Sequence, residues 1–483
     1  MDKLRKTIKD YWLLCLICIQ PFLDILAFWT RNEKGTAAGY LRLIIMCVLC
    51  MYVLVHIRSY KRYIPSIAAV VLVFGLHMIN CFRNGYLGFV SDTRRVLSQI
   101  YLPVLAICFC CLMDSDIIRD QAVKGIIINF AVETLVLAIS YVTGTYMNTY
   151  SEGLGIAGWV ISDNRCCHSD ILASVCVFAA YYTVKTPKKV LVFLIPTLIF
   201  ALLFTNGTKV CYLTLVAICV CFPIFLIISA AVNKTRFDSC RRTVCIVMAA
   251  VLAVSIGLYK VSPRYKMEEL KRLGQDKREE QFAAEMDELG YNVYAVTLDD
   301  IFTDELLHER FIDYYRLFVF GGVEPLGRNY SFDRIIAAYN GTVNSHVLGD
   351  TRNMKNIYVR FIFEDSDFLT RMFGIEYDQI GPDKTADLEN DWYAILYYLG
   401  YFGLALAIAA TLFLFTRIAV YAARNYSIVF TELNFTLLFG FALQLGMAYF
   451  SGAVMRRPSA SVYVALFIAM IFYSTSDRKV LKA

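Results

Sequence analysis

The sequence predicts an all-α polytopic membrane protein with about twelve transmembrane helices and one large, partly helical extracytoplasmic loop. Two observations predict this class. The hydrophobic fraction of 58% and the mean hydropathy of +0.53 are too high for a soluble chain, whose apolar share is usually about 45 to 50%. The apolar residues also gather into stretches close to the roughly 20 residues that a helix needs to cross about 30 Å of hydrocarbon.

The predicted spans follow one another closely, except where one long polar segment separates the ninth from the tenth. They cover residues 11–28, 40–57, 64–82, 96–113, 122–142, 170–184, 190–204, 210–232, 243–261, 392–414, 428–450 and 460–473. The sixth, seventh and last are short. No small-residue cleavage site follows the first span, so we expect it to be retained. The chain is thus predicted to contain a bundle of spans 1–9 in residues 1–261, a loop in 262–391, and spans 10–12 with a cytoplasmic tail in 392–483.

The distribution of charge predicts which side of the membrane the polar loop occupies. Lys and Arg cluster in 3–9, 58–62, 185–189, 234–242 and 478–482, all on the side of the two termini. Short cytoplasmic loops carry such an excess, so both termini are predicted to be cytoplasmic. Residues 262–391 hold 15 basic and 26 acidic side chains, a net charge of −11, and the rest of the chain carries +17. The acidic segment is therefore predicted to be extracytoplasmic.

Within this loop, charged residues with apolar residues at helical spacing predict a surface helix over 264–289. Amphipathic patterns predict further helices over 308–320 and 361–373. The intervening segment 321–350 is rich in Gly and Asn and is predicted to be irregular.

The sequence contains no nucleotide-binding loop, Cys or His metal spacing, serine-nucleophile elbow or nucleic-acid motif. We therefore expect no metal, no cofactor and no nucleic-acid partner. Charges within or beside spans are costly and are functional candidates by default. The candidates near the predicted outer face are Asp24, Arg42, Arg94, Arg95, Arg165, His168, Lys209, His308, Glu309, Arg310, Glu389 and Asp391.

These charges fit one kind of substrate. A diphosphate on a long lipid presents its charge at headgroup level, where Arg and Lys bind it by charge-assisted hydrogen bonds. The same cations would neutralise a departing lipid diphosphate, while a carboxylate or imidazole takes the proton of a sugar hydroxyl. The charges therefore predict a transferase of lipid-linked glycans.

Structural roles are the alternative for each of these groups. Arg94 and Arg95 would only anchor a helix end, and Asp24 would pair with an arginine of a neighbouring span. His56 and His77 would be structural, and His346 would be a surface histidine. Glu389 and Asp391 would be polar flanks of a span.

Seven short segments carry a resemblance to a known family. They are QPFLDILAFW at 20–29, GTAAGYLRL at 35–43, GIAGWVISDN at 155–164, NGTKVCYL at 206–213, ELLHERF at 305–311, FLTRMFGIEYD at 368–378 and LENDWYAILYYLGYFG at 388–403. In this order they resemble the O-antigen ligase and polymerase superfamily, in the branch found in Gram-positive bacteria. The resemblance implies a GT-C-like membrane fold.

The resemblance also implies an activity and its residues. The family performs a metal-independent transfer of a glycan from undecaprenyl diphosphate to an acceptor hydroxyl, on the outer face of the cytoplasmic membrane. The residues implied for the diphosphate are Arg42, Lys209 and Arg310. Arg94 and Arg95 are added to the predicted diphosphate-binding residues because of their charge near the same face. Glu389 and Asp391 would orient the acceptor or hold a loop arginine, and His308 and His346 are the candidates for a general base. Arg165, and His308 with Glu309, depart from the family pattern.

Three functions stay open at the level of sequence. A polymerase joins repeat units on the lipid carrier, whereas a ligase moves a finished chain to a glycan, lipid or protein acceptor. In a Gram-positive source, lipid A is absent and a capsule or wall polysaccharide is the expected product. A lipid-linked oligosaccharide flippase is the third function, but it would place its cations in a cavity open alternately to both sides and rarely needs so large an outer loop.

Overall fold

A computed structural model describes residues 2–30, 36–150, 152–159, 189–381, 387–426, 430–450, 452 and 454–476. Every regular element in these ranges is helical, so the predicted all-α class is confirmed. Within the described ranges, β-type backbone pairing is limited to an isolated antiparallel bridge between Met147 and Gly158.

The helices of the first half of the chain are long. They are α1 (Asp2–Thr30), α2 (Thr36–His56), α3 (Ile64–Arg83), α4 (Phe89–Leu112), α5 (Asp116–Val142), α6 (Lys189–Asn206), α7 (Lys209–Val232) and α8 (Ser239–Gly257). The loop contains shorter helices. They are α9 (Pro263–Glu288), α10 (Leu298–Thr303), α11 (Glu305–Gly322), α12 (Glu324–Asn329), α13 (Phe332–Ala338), α14 (Ser345–Leu348), α15 (Thr351–Asp365) and α16 (Phe368–Phe373). The chain ends with α17 (Asp391–Arg424), α18 (Glu432–Phe450) and α19 (Pro458–Ser474).

Nine helices within the described ranges are long and apolar enough to cross a membrane, and two shorter apolar helices accompany them. The nine match the predicted spans 1–5 and 8–11, and the shorter two, Phe193–Asn206 and Pro458–Ser474, match the seventh and twelfth. The predicted sixth span, 170–184, lies outside the described residues, as do Arg165 and His168. The protein is therefore a multi-pass membrane protein.

Side-chain caps explain where several of these helices begin. Ser115, Thr208 and Asp238 each accept a hydrogen bond from a backbone N–H in the first turn of α5, α7 and α8. Such caps satisfy one of the N–H groups that the first turn leaves without a helical partner.

The chain divides into two compact units. We call Met1–Leu72, Leu97–Lys266 and Leu406–Ala483 the bundle unit, and Val73–Val96 with Met267–Ala405 the loop unit. In the bundle unit, α1 packs along α5, and α6, α7 and α8 pack against one another. The loop unit differs from the predicted segment 262–391, because it begins at Met267 and also contains the end of α3, the start of α4 and the first part of α17.

The loop unit has a hydrophobic core of its own, with α11 at its centre. Phe282 of α9 stacks on Tyr314 with ring centroids 4.0 Å apart. The buried hydroxyls of Tyr314 and Tyr315 donate to the carbonyls of Val343 and Thr342, both at 2.9 Å. Because buried phenols are costly without partners, these bonds fix the segment after α13 onto α11.

Two predictions about the loop were inaccurate. The segment 321–350 is not irregular, since it contains α12, α13 and α14, and the side chains of Ser331 and Asn344 cap the last two of these. The helix predicted over 361–373 is divided at Ser366, where α15 ends and Asp367 caps α16. Local capping therefore sets these short helices, and amphipathic periodicity does not reveal it.

Candidate functional site

Arg42 is a buried cation of the bundle unit, with only 3% of its side chain exposed. Its Nε donates to Oε1 of Gln20 at 3.1 Å, and its Nη2 donates to the carbonyl oxygen of Gln20 at 3.2 Å. The same Nη2 lies 2.9 Å from Oδ2 of Asp24. Gln20 and Asp24 lie four residues apart on α1 and so share a helix face. Gln20 and Asp24 of α1 therefore hold the guanidinium of Arg42, on α2, by three contacts.

The second carboxylate oxygen of Asp24, Oδ1, is buried and accepts no hydrogen bond from the described residues. Other polar groups surround this pair. Asn129 of α5 donates to the carbonyl of Ile17 at 2.9 Å and to the hydroxyl of Tyr463 at 2.8 Å. Tyr463 of α19 lies near Asp24 and Arg42. Four helices of the bundle unit therefore contribute to one polar cluster, the kind of feature that marks function inside a membrane.

Lys209 is the first residue of α7 and is exposed. The turn before it is tightly packed: Gly207 has a φ of +70°, and a Cβ there would lie 2.6 Å from the ring of Pro263. The hydroxyl of Tyr150 also donates to the carbonyl of Gly207 at 3.1 Å. The Gly-Thr-Lys turn is thus tightly packed at Gly207, whereas the side chain of Lys209 is exposed.

In the loop unit, Arg95 is held on α4 by two partners. It pairs with Asp387, and its Nη2 donates to the hydroxyl of Tyr377 at 3.2 Å. Its guanidinium also lies 4.4 Å from the centre of the Tyr377 ring, within cation–π range. The neighbouring Arg94 is half-buried. Arg95 therefore has a fixed position that is more specific than a general anchor among headgroups.

Two carboxylates dock residues 374–378 onto the start of α4. Glu376 accepts hydrogen bonds from the backbone N–H groups of Leu87, at 2.9 and 3.0 Å, and of Gly88, at 2.5 Å. Asp378 accepts from the hydroxyl of Ser91. Carboxylates are favoured at a helix N-terminus because of the unpaired N–H groups and the positive end of the helix dipole.

The same segment contacts a buried pair of ionisable groups, His77 of α3 and Asp92 of α4. Nε2 of His77 lies 3.1 Å from Oδ2 of Asp92, and its Nδ1 lies 3.0 Å from the carbonyl oxygen of Phe373. A carbonyl can only accept, so Nδ1 donates to it. On the other side, Oδ1 of Asp92 accepts the backbone N–H of Tyr377 at 2.9 Å. The pair therefore contacts both ends of the 373–377 segment.

Glu389 lies between two cations of α15. It pairs with Arg352, and its Oε1 lies 3.2 Å from Nζ of Lys355. Burial alone would raise the pKa of Glu389, but the charges of Arg352 and Lys355 outweigh burial and hold that pKa below its ordinary value. Asp391 is fully buried at the first turn of α17. Glu389 is therefore an ionised partner of two loop cations.

The loop histidines lie at two separate places. Nε2 of His308, on α11, lies 2.9 Å from Oδ1 of Asp333. Nε2 of His346, on α14, lies 2.8 Å from Oδ1 of Asp276. Arg310 is exposed on α11, and among the described residues it has no ion pair. Each histidine thus has a carboxylate beside it, but the two histidines do not share one site.

Some of the predicted residues thus come together and others do not. Asp387, the partner of Arg95, precedes Glu389 by two residues, so one segment serves both. Arg310, His308 and His346 make separate contacts. Sequence reasoning assigned His77 a structural role and did not single out Asp92, Glu376 or Tyr377. The sequence signals for them were the position of Asp92 between two predicted spans and the position of Glu376 and Tyr377 in the segment 368–378, which carries part of the family resemblance.

The fold and these charges define a class: a polytopic membrane protein with a large folded loop and arginines held in fixed positions by carboxylates. The chain belongs to the family of O-antigen ligase like membrane proteins, whose model matches residues 6–476. No curated protein matches the chain. The family connects the protein with surface polysaccharide assembly and with a lipid-linked glycan substrate in a membrane, and the resemblance inferred from the sequence is confirmed.

Proposed function

We propose that the protein is a membrane glycosyltransferase that polymerises or ligates undecaprenyl-diphosphate-linked glycans on the outer face of the cytoplasmic membrane. Family membership supports the general activity, and the distribution of Lys and Arg supports the orientation. The donor is the lipid-linked glycan, and the acceptor is a hydroxyl of a glycan, lipid or protein. A capsule or wall polysaccharide is the proposed product.

The observation that carries the proposal is the buried guanidinium of Arg42. It is 3% exposed and is balanced by one carboxylate, which lies 2.9 Å away and is itself 14% exposed. A diphosphate presents anionic oxygens that accept the same charge-assisted hydrogen bonds as that carboxylate, and it would compete with the carboxylate for the guanidinium. Arg42 would then neutralise the charge that develops on the lipid diphosphate as the sugar leaves. Lys209, Arg94, Arg95 and Arg310 keep their proposed role as further cations.

The acid–base step is the second part of the proposal. The acceptor hydroxyl must lose a proton, and His308 and His346, each with Nε2 beside a carboxylate, are the groups proposed to take it. Glu389 and Asp391 are proposed to orient the acceptor, and Glu389 also holds Arg352 and Lys355.

The first experiment is deletion of the gene, with analysis of lipid-linked and surface glycans by electrophoresis and mass spectrometry. Single repeat units on the outer-facing carrier, with long chains missing, would identify a polymerase. Full-length chains stranded on the carrier would identify a ligase. Repeat units trapped on the cytoplasmic side would contradict the proposal and indicate a flippase.

Complementation with variants then tests the role of Arg42. Arg42→Ala should abolish polymer while the protein remains in the membrane, and Arg42→Lys should retain part of the activity. Arg417→Ala is the control, because Arg417 is a half-buried arginine of another span and donates to Thr475 and Ser476, which directly follow α19. Normal polymer with Arg42→Ala would remove Arg42 from the site.

The orientation needs its own test. A reporter that is active only outside the cytoplasm should give signal when inserted at Gly290, an exposed turn residue of the loop unit with a φ of +88°. A silent reporter there, with a cytoplasmic reporter active at the same position, would overturn the proposed topology.

A further inference from the structure

The buried pair of His77 and Asp92 has more partners than an isolated salt bridge. Oδ2 of Asp92 contacts Nε2 of His77 at 3.1 Å and accepts the hydroxyl of Tyr86 at 2.9 Å, while Oδ1 accepts the backbone N–H of Tyr377 at 2.9 Å. Both side chains are 1% exposed. A buried carboxylate is tolerated when its lone pairs are used in this way, and removal of a partner is then costly.

Tyr377 connects this pair to Arg95. Its backbone N–H is fixed by Asp92, its hydroxyl accepts from Nη2 of Arg95 at 3.2 Å, and its ring lies under the Arg95 guanidinium at 4.4 Å. Asp92 and Arg95 lie three residues apart on α4 and so project from neighbouring turns. His77 fixes the other end of the same segment through the carbonyl of Phe373.

We infer that His77 and Asp92 are positioning residues for Arg95, acting through Tyr377, and that they orient its guanidinium for the lipid diphosphate. The inference rests on the proposed function, because it assigns a role to the cation that the proposal places in diphosphate binding. A guanidinium binds phosphate oxygens through a fixed planar arrangement of donors, so its orientation determines how many hydrogen bonds it can make. Without the support of Tyr377, Arg95 would keep its charge and its ion pair with Asp387, but it would lose the ring and hydroxyl contacts that fix the plane of its guanidinium.

A metal centre is the competing explanation for the same residues. Nε2 of His77, Sγ of Cys81 and a carboxylate oxygen of Asp92 lie within 4.8 Å of one another. Nδ1 of His77 already donates to Phe373, Oδ2 of Asp92 accepts from Tyr86, and Oδ1 of Asp92 accepts from Tyr377. A proton shared between Nε2 of His77 and Oδ2 of Asp92 then satisfies the second ring nitrogen as well. The geometry therefore does not require a metal.

The test measures the binding of undecaprenyl diphosphate to the purified full-length protein in detergent. Arg95→Ala and Asp92→Asn should each weaken binding about tenfold, the size expected for the loss of one charge-assisted contact. Tyr377→Phe keeps the ring and the backbone bond to Asp92 and should weaken binding about twofold to threefold. Cys81→Ala is the matched control: it removes the contact of Sγ with Nε2 of His77, at 3.4 Å, but leaves the hydrogen bonds to Phe373, Tyr86 and Tyr377 in place, so binding should be unchanged.

The decisive measurement is the double variant Asp92→Asn with Arg95→Ala. If Asp92 acts through Arg95, the double variant should bind no more weakly than Arg95→Ala alone, whereas independent effects would multiply and overturn the inference. Tyr377→Phe in the Arg95→Ala background gives the same comparison if Asp92→Asn fails to fold. Stoichiometric zinc in the purified protein, with a chelator reproducing the effect of Asp92→Asn, would also overturn it. Unchanged binding with Arg95→Ala alone would instead remove Arg95 from the proposed function.

Discussion

The bundle unit and the loop unit use the same kind of ion pair in different environments. Arg42 and Asp24 of the bundle unit are 3% and 14% exposed, whereas Arg316 and Asp313 on α11 of the loop unit are 55% and 56% exposed. Both distances are close to 3 Å, at 2.9 and 3.0 Å. Burial therefore decides what each pair contributes, because water screens the exposed pair and cannot compensate the buried one.

The largest expected effect comes from removal of the carboxylate in the buried pair. Asp24→Ala leaves the guanidinium of Arg42 buried without its counterion, and should destabilise the protein by about 3 to 5 kcal/mol. Asp313→Ala, which breaks the exposed pair, should cost less than about 1 kcal/mol. Thermal unfolding in detergent checks both. Equal losses of stability would show that the environment of Asp24 is more polar than its burial indicates.

A backbone contact within the loop unit gives the next largest effect. Gly374 has a φ of +97°, and a Cβ there would lie 2.2 Å from the carbonyl oxygen of Tyr398. The neighbouring Ile375 donates to the carbonyl of Tyr397 at 2.8 Å, so the two backbones cannot separate without losing this bond. Gly374→Ala combines backbone strain with a collision and should cost about 2 to 4 kcal/mol.

Gly290→Ala is the matched control for this prediction. Gly290 has a φ of +88°, but a Cβ added there would meet no described atom within 4 Å, so the substitution introduces strain without a collision. We expect a cost of about 1 kcal/mol for it. A loss of stability for Gly374→Ala no greater than for Gly290→Ala would mean that the 372–375 backbone moves away at little cost.

These examples show which features the sequence could predict. The spans were recognisable because the thickness of the bilayer imposes a local requirement of length and hydrophobicity. Individual charges such as Arg42 and Glu389 were recognisable because a charged side chain within or beside a span is costly. Their partners were harder to recognise, since His77 reaches Phe373 across 296 residues and Tyr377 reaches Asp92 across 285. Such contacts depend on tertiary packing, and nothing local in the sequence near His77 indicates Phe373.

A smaller effect is expected from Glu389. Its side chain is 24% exposed, which lies between the buried pair and the exposed pair compared above. Because Arg352 and Lys355 lower its pKa in the folded state, its contribution to stability is complete above the unfolded pKa of about 4.3 and disappears as the pH falls through the lower, folded pKa. Glu389→Gln should therefore lower stability by about 1 kcal/mol at pH 7, and the difference from the unsubstituted protein should shrink below about pH 4.3. Unfolding temperatures measured between pH 3 and 7 check this. A difference that does not vary with pH would mean that the charge of Glu389 contributes nothing.

The smallest effect on stability is expected at His346, and this makes it useful for separating chemistry from folding. His346 and Asp276 are 45% and 43% exposed, so His346→Asn should change stability by less than about 0.5 kcal/mol. The proposed role as a general base makes the opposite prediction for activity, since loss of a general base costs about 100-fold or more in rate. His308→Asn gives the parallel test at a site that is 30% exposed. A variant with an unchanged unfolding temperature, unchanged binding of undecaprenyl diphosphate and no polymer would support that histidine as the base, because neither folding nor donor binding would then explain the loss. If both variants made normal polymer, neither histidine would be the base, and Glu389 and Asp391, the carboxylates proposed to orient the acceptor, would be the next groups to substitute.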